Sequence, residues 1–226
     1  MYLDARLISG VSDGSTVQTW SDSSGSANDV TQATAGNRPT YKTGIIGGQP
    51  TMRFLATSVN WYRNSSYTIT SNSVVVLMVA KPATTITNGS GRFVGMNLNA
   101  SSDGNNLNSW LCMYYDSSTN KIGSYRNGSA ILSASTMTRN TPYVVSIQLN
   151  GTAVDAYILS VKTSGTTSAT SMNSNHLMIG ADESGPSGSA LDADISYVSV
   201  IKSNINDSLR KRLEHSMGFS YKISTN

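Results

Sequence analysis

The sequence predicts an all-β protein, built as an antiparallel sandwich of two sheets with one short C-terminal helix. Only 38% of its 226 residues are hydrophobic and 13% are charged. The remainder is rich in Ser, Thr, Asn and Gly, which suits short strands joined by polar turns. Asn-Gly pairs at Asn88, Asn127 and Asn150 sit beside strand-like runs, and this pair favours hairpin turns. No helical periodicity separates these runs, as it would in a βαβ fold.

Eight strands are predicted from the hydrophobic runs. The stretches "KIGSYRNGSAIL" and "YVVSIQLNGTAVDAYILSV" each contain an Asn-Gly pair between two such runs and are interpreted as consecutive hairpins. Each run can bury apolar surface, which a disordered chain lacks. The predicted strands cover residues 74–81, 92–98, 109–116, 121–126, 143–149, 153–161, 176–181 and 193–201.

The C-terminal helix is predicted over about residues 206–217. Asn206 or Asp207 caps its N-terminus, and Gly218 is expected to end it in the left-handed conformation. An apolar stripe at i, i+4 and i+8 is expected to pack on the sandwich, and it consists of Leu209, Leu213 and Met217. A basic group is expected to face solvent, and it consists of Arg210, Lys211 and Arg212.

A single domain is expected over residues 1–226, because an all-β sandwich commonly has this length, and the composition argues against several classes of protein. The net charge is +3 and neither half of the chain is strongly basic, which argues against a nucleic-acid partner. The one cysteine, Cys112, rules out an internal disulfide and is interpreted as a buried small hydrophobic residue. No segment reaches the ~18 apolar residues of a membrane span. No basic-then-apolar leader precedes the first strand.

Short motifs at both ends of the chain form a recognisable set. The opening contains Leu-Asp-Ala at 3–5, a Trp-x-Asp-x-Ser-Gly-x-x-Asn loop at 20–28, Arg-Pro-x-Tyr at 38–41 and Gly-x-Pro at 48–50 before Phe54. With the close "DADISYVSVIKSNINDSLRKRLEHSMGFSYKI", it resembles the concanavalin A-like, laminin-G-like jelly-roll domains of bacterial surface proteins and phage structural proteins. The resemblance implies a jelly-roll sandwich. It implies little about function, because its members include lectins, adhesins, hydrolases and inert structural modules.

The same resemblance implies a structural role for the loop after Trp20. In such domains the tryptophan buries its ring, and Asp22 would accept hydrogen bonds from backbone amides of the turn at 23–25. The alternative is that Asp22 and Asp29 bind calcium or a sugar hydroxyl. The loop is interpreted as scaffold.

Catalytic motifs known on this fold are missing, so the chain is not expected to be an enzyme. Sandwich glycosidases of this kind carry Glu-x-Asp-x-x-Glu on one strand, whereas the two glutamates here are Glu183 in a loop and Glu214 on the helix. His176 and His215 do not match the pattern of alginate lyases. No Gly-x-Ser-x-Gly elbow is present.

Two loops are predicted as binding sites. In residues 99–110, carboxylate and amide oxygens that suit calcium or sugar hydroxyls crowd ahead of an aromatic ring. The predicted ligand-binding residues are Asp103, Asn105, Asn106, Asn108, Trp110 and Tyr115. In residues 181–194, four acids could share a calcium ion if the loop folds back, namely Asp182, Glu183, Asp192 and Asp194. The alternatives are an exposed hairpin loop and a mobile acidic loop.

Aromatic side chains supply the remaining candidates for a sugar platform. In "WYR" and "MYY" neighbouring residues point to opposite faces of a strand, so one of each pair is expected in the core and the other on the sheet surface. The aromatic candidates are Trp61, Tyr62, Tyr67, Tyr114, Tyr115 and Tyr125.

From these observations we expect a non-catalytic function. The expectation is a phage virion surface or adhesion domain that recognises glycans on a cell envelope, located on a virion or extracellular surface. One alternative is a purely structural capsid decoration or fibre component, and another is a polysaccharide-active enzyme. The expected partners are a glycan or cell-surface polysaccharide, other virion or surface proteins and a second copy of the chain. Calcium is the only cofactor considered.

Overall fold

The computed structural model describes residues 1–97, 110–126, 129–167, 174–181 and 186–225, and it contains two antiparallel sheets of eight strands each. In chain order the strands are β1 (Tyr2–Asp4), β2 (Thr19–Trp20), β3 (Val30–Thr31), β4 (Thr40–Ile46), β5 (Gln49–Phe54), β6 (Tyr62–Asn64), β7 (Ser73–Pro82), β8 (Ser90–Asn97), β9 (Trp110–Asp116), β10 (Lys121–Arg126), β11 (Ser129–Leu132), β12 (Tyr143–Asn150), β13 (Ala153–Ile158), β14 (Val161–Thr166), β15 (His176–Ile179) and β16 (Ala193–Ile201). The helices of the described residues are α1 (Pro186–Ser189) and α2 (Asp207–Ser220), with 3-10 turns at Ala5–Leu7, Ala35–Asn37 and Ala56–Ser58. The predicted all-β sandwich with a C-terminal helix is confirmed.

Along the chain, single strands or runs of consecutive strands belong in turn to one sheet and then to the other. The first sheet has the order β14-β13-β12-β7-β16-β5-β4, with β1 also paired to β16. The second sheet has the order β11-β10-β9-β8-β15-β6-β3-β2. Because neighbours such as β7 and β16 are far apart in sequence, side chains from distant segments meet on each sheet face. Within the described residues, no helix has the length and apolarity needed to cross a membrane.

The main core lies between the two sheets and is centred on aromatic rings. Trp20, Phe54 and Tyr62 are fully buried. The ring centroids of Trp20 and Tyr62 are 6.2 Å apart, and Phe54 meets Tyr62 edge-on at 6.0 Å. Such pairs add to the stability that burial of their area provides.

Helix α2 covers the outer face of the first sheet. Met217 and Tyr221 pack there against outward-facing side chains of β7, which are Val75, Leu77 and Val79. Asn206 caps the helix, since its Oδ1 accepts a hydrogen bond from the Leu209 amide at 2.8 Å. The predicted start of the helix and its N-cap are confirmed.

The buried face of the helix differs from the predicted stripe. Arg210 and Glu214 are each 1% exposed, whereas Leu209 and Leu213 are only partly buried. Glu214 accepts hydrogen bonds from sheet hydroxyls, so the helix turns this polar pair toward the sheet. The expectation that Arg210 faces solvent is wrong.

The helix does not end at Gly218. It continues to Ser220, and Lys222, with φ 53°, takes the left-handed conformation predicted for Gly218. A Cβ on Gly218 would lie 2.8 Å from the Ile223 carbonyl oxygen and 2.7 Å from Thr225 Cγ2. A glycine fits there because the chain after the helix folds back against it.

The predicted strand over 153–161 is two strands. β13 ends at Ile158, the chain turns through Leu159 and Ser160 with φ of 48° and 67°, and β14 begins at Val161. Positive φ is uncommon for residues other than glycine. The residue types at this turn therefore did not indicate it.

Candidate functional site

A polar recess opens beside Trp61, where β6 pairs with β3 at one side of the second sheet. Its volume is about 510 Å³. Its lining combines an indole ring with charged, amide and hydroxyl groups, among them Asp29, Thr31, Gln32, Trp61, Arg63 and Asn64. We call this cavity the Trp61 recess.

Backbone hydrogen bonds hold Trp61 from both sides. Its amide donates to the Asn37 carbonyl at 3.2 Å, and its carbonyl accepts from Gln32 Nε2 at 3.3 Å. The Arg63 guanidinium lies 5.9 Å from the centre of the ring, and Arg63 is aligned with Thr31 across the two strands. Trp61 is partly exposed and lines the recess, and these hydrogen bonds hold its backbone in place.

The polar groups of the Trp61 recess are fixed by their own hydrogen bonds. Asn64 Nδ2 donates to the Asp29 carbonyl at 2.9 Å, and Gln32 Oε1 accepts from the Thr34 amide at 2.9 Å. Asp29 Oδ1 accepts from the Asp22 amide at 2.7 Å. Within the described part of the chain no donor bonds Asp29 Oδ2, so this oxygen can accept from a ligand hydroxyl.

Asp22 has the scaffold role that the resemblance implies. Its oxygens accept hydrogen bonds from the amides of Tyr2 at 2.8 Å, Ser24 at 3.0 Å and Asn28 at 3.0 Å. Partial burial raises the pKa of Asp22, but these hydrogen bonds outweigh it and lower the pKa to about 2. Trp20 is fully buried, as expected. Asp22 therefore ties β1 to the loop.

Asp192 and Asp194 meet in a second recess, of about 390 Å³, at the outer face of the first sheet. We call it the charged recess. Asp194 accepts two hydrogen bonds from Arg53, at 2.8 and 3.0 Å, and these raise the pKa of the Arg53 guanidinium above its ordinary value. Asp192 accepts from the Ala56 amide at 2.8 Å and from the amide and hydroxyl of Thr87. Both acids thus have protein partners.

The other two predicted metal ligands, Asp182 and Glu183, lie outside the described residues. In the segments that are described, no group of three His, Cys, Asp or Glu side chains could hold a metal ion. The prediction of a calcium site in the 181–194 loop therefore stays a prediction.

The prediction of a ligand-binding site in the loop over residues 99–110 also stays a prediction. Four of its predicted ligand-binding residues lie outside the described residues, namely Asp103, Asn105, Asn106 and Asn108. The backbone of Trp110 begins β9, but its side chain is also outside the description. Tyr115 is described: it is 1% exposed, and its hydroxyl donates to Asn120 Oδ1 at 2.7 Å. The prediction that Tyr115 contacts a ligand is corrected, because its ring is part of the core.

The aromatic candidates divide between core and surface. The buried ones are Tyr62, Tyr67 and Tyr115, and the partly exposed ones are Trp61, Tyr114 and Tyr125. Tyr114 lies flat against Gly123, where a Cβ would be 2.2 Å from the ring, and burial raises the pKa of Tyr114. Of the neighbouring aromatic residues, Tyr62 and Tyr115 are therefore in the core and Trp61 and Tyr114 are partly exposed, as predicted.

The Trp61 recess presents an aromatic side chain, hydrogen-bonding groups and one carboxylate among the described residues that line it. Glycoside cleavage by the usual route needs two carboxylates, separated by about 5–5.5 Å or about 6.5–9.5 Å. Among the described residues that line the recess, Asp29 is the one carboxylate. Sequence reasoning named Trp61 only as one of several exposed aromatics and did not bring it together with Asp29, because their proximity depends on the pairing of β3 with β6.

No protein-family model matches the sequence, and no curated protein matches it. Solved structures do. A Trypanosoma rangeli sialidase in complex with 2,3-difluorosialic acid aligns with 96% of this chain and 32% of its own, at 15% identity and a TM-score of 0.59. A GH54 α-L-arabinofuranosidase aligns with 91% of this chain and 51% of its own, at 14% identity and a TM-score of 0.65. A mutant NanB sialidase from Streptococcus pneumoniae aligns with 71% and 26%, at 14% identity and a TM-score of 0.53.

These neighbours are glycosidases, and no phage protein is among them. The expectation of a non-enzymatic phage virion or adhesion domain is therefore corrected, and so is the alternative of a structural capsid component. At these identities the likeness shows the fold alone. The chain spans about a third of the length of the sialidases, so their activity is not transferred to it as a finding.

Proposed function

We propose that this chain is a glycan-binding domain of a carbohydrate-active enzyme and that the sugar occupies the Trp61 recess. The observation that carries the proposal is a partly exposed tryptophan, anchored through its backbone, beside hydroxyl, amide and carboxylate groups. The occurrence of the same sandwich within glycosidases supports the enzyme class. The finer concanavalin A-like assignment belongs to the same proposal.

The lining suits a sugar for two reasons. A pyranose has an apolar face that packs on an aromatic ring, and a rigid ring loses little entropy on binding. Its hydroxyls need partners that both donate and accept. Thr31 and Ser65 line the recess with hydroxyls, and the second oxygen of Asp29 offers an acceptor. Gln32 and Asn64 are buried and bonded within the protein, so they hold the recess in shape and little ordering opposes binding.

The substitution Trp61→Ala tests the site by calorimetric titration with a panel of neutral and acidic oligosaccharides. We expect wild-type protein to bind at least one saturably, and the variant to bind it about tenfold or more weakly, because a central aromatic contact is worth more than ~1.4 kcal/mol. Phe219→Ala is the matched control. Phe219 is 91% exposed and lies on α2, away from the recess.

Equal loss of affinity in both variants, or none in either, would contradict the site. Release of reducing ends from the bound sugar is measured in parallel. A sugar that binds and is cleaved supports the whole proposal. A sugar that binds and stays intact restricts the proposal to binding.

The loop predictions are tested in the same titration. A calcium-dependent site in residues 99–110 or 181–194 predicts weaker binding in the presence of a chelator. We expect the Trp61 recess itself to be insensitive to chelation, since Asp29 is the one carboxylate among the described residues that line it and calcium takes about 6–8 oxygen ligands. An extracellular location and self-association stay predictions.

A further inference from the structure

The charged recess is built from a row of side chains across three neighbouring strands. Arg53 on β5, Asp194 on β16 and Lys81 on β7 are aligned in register. On β7 the outward positions Val75, Leu77 and Val79 contact the cluster under α2, and Lys81 is the next outward position. The row therefore lies on the same sheet face as the helix but beyond the part that the helix covers.

The formal charges of the row and its surroundings cancel. Arg53 and Lys81 are positive, and Asp192 and Asp194 are negative. Both carboxylates are fixed, Asp194 by Arg53 and Asp192 by backbone amides. An anionic ligand would meet the two acids at close range, and a cationic ligand would meet the two bases. The balance favours a neutral ligand.

Lys81 has hydrogen-bonding capacity that the protein leaves unused. Its side chain is only 15% exposed, and its nearest acidic oxygen, Asp194 Oδ2, is 3.8 Å from Nζ, which is beyond hydrogen-bonding distance. No other acceptor in the described chain bonds Nζ. An ammonium carries three donors, so Lys81 presents N–H groups to the recess, which it lines.

The walls around Lys81 offer a mixed surface. Hydroxyls come from Thr57, Thr84 and Thr85, and an amide comes from Asn140. The aliphatic side chain of Leu55 is 39% exposed and lines the same cavity. The volume of about 390 Å³ is within the range of roughly 300–1,000 Å³ that is usual for small-ligand pockets.

We propose that the charged recess is a second saccharide site, distinct from the Trp61 recess, in which one neutral sugar unit accepts hydrogen bonds from Lys81 and packs on Leu55. This inference rests on the proposed function, because it takes the ligand to be a glycan. Arg53 and Lys81 both lie beside Asp194, one of the four residues predicted to bind calcium.

The test is a titration of the whole chain with neutral hexasaccharides of glucose, xylose and arabinose. The NMR signals of the backbone amides monitor binding. We expect saturable shifts at Thr84, Thr85 and Asn140. Lys81→Met removes the donors but keeps the apolar stem of the side chain, and it should weaken the affinity measured at these amides about tenfold. Lys211→Met is the control, because Lys211 is an exposed lysine paired to Asp207 on α2. Thermal unfolding checks that both variants fold.

A separate site is supported if the shifts at the charged recess persist in the Trp61→Ala variant. The affinity measured from them should fall in the Lys81→Met variant. Shifts confined to the Trp61 recess, for example at Thr31 and Ser65, would overturn the second site and leave the proposed function standing. Equal affinity of the Lys81 and Lys211 variants would also overturn it, as would a response to acetate or sialyllactose without one to neutral sugars. Silence at both recesses would overturn this inference and the proposed function together.

Discussion

Asp22 joins the start of the chain to the loop after β2, because its two oxygens accept hydrogen bonds from three backbone amides. Those amides belong to Tyr2, Ser24 and Asn28. The Asp22 amide in turn donates to Asp29, which lines the Trp61 recess. A residue with a structural role thus positions a residue of the candidate site.

Asp22→Ala should lower the free energy of unfolding by about 2 kcal/mol, since hydrogen bonds to a charged group contribute roughly 1.5–3 kcal/mol. Urea unfolding measures the change. The control is Asp155→Ala, which removes a surface pair with Lys162 and should cost less than about 1 kcal/mol. Comparable losses in the two variants would contradict the role assigned to Asp22.

The pH dependence of stability follows from the same carboxylate. Its pKa falls from 3.8 in the unfolded chain to about 2 in the folded one, so the stabilisation is complete above about pH 4 and is lost as the pH falls toward 2. The Asp22→Ala variant should lack this part of the acid transition.

Helix α2 carries a buried ion pair whose two members contact the sheet, in addition to the apolar contacts of the helix. Arg210 Nη1 donates to Glu214 Oε2 at 2.5 Å, and the guanidinium lies 3.6 Å from the centre of the Tyr157 ring. Glu214 also accepts from Ser146 at 2.5 Å and from Ser160 at 2.9 Å. The amphipathic pattern of the helix missed this face because a periodicity of apolar residues cannot register charged side chains that are buried as a pair.

Arg210→Ala should destabilise the protein by about 3–5 kcal/mol, because it leaves the Glu214 carboxylate buried without its counter-charge. Replacing both partners, with Arg210→Met and Glu214→Leu, should cost much less, since no lone charge remains. Arg212→Ala, at an exposed position of the same helix, should change stability by less than about 0.5 kcal/mol. If Arg210→Ala proves as mild as Arg212→Ala in denaturant unfolding, the buried pair does not hold the helix.

In the whole molecule, helix α2 leaves only part of the outer face of the first sheet exposed. It covers part of the first sheet and leaves the charged recess beyond it. The second sheet has the Trp61 recess where β3 and β6 pair. The two candidate sugar sites therefore belong to different sheets.

The sequence predicts the central strands of the sandwich better than its edge strands or its recesses. Long apolar runs predicted central strands such as Ser73–Pro82, Tyr143–Asn150 and Ala193–Ile201. The strand Val161–Thr166 went unpredicted, since it lies at a sheet edge with little to bury. Trp61 was recognised as an aromatic candidate, but the recess around it was not predicted. The recess depends on the pairing of Thr31 with Arg63 between two strands that are far apart in sequence, and a local pattern does not specify which distant strands pair.

Occupation of the Trp61 recess by a sugar is measured most directly by the NMR signal of the Trp61 indole N–H during titration with the oligosaccharide panel. We expect a saturable shift of this signal with at least one sugar. The indole of Trp20 is fully buried in the core, and its signal should stay in place. An unmoved Trp61 signal across the whole panel, or equal movement of both indoles, would contradict the claim.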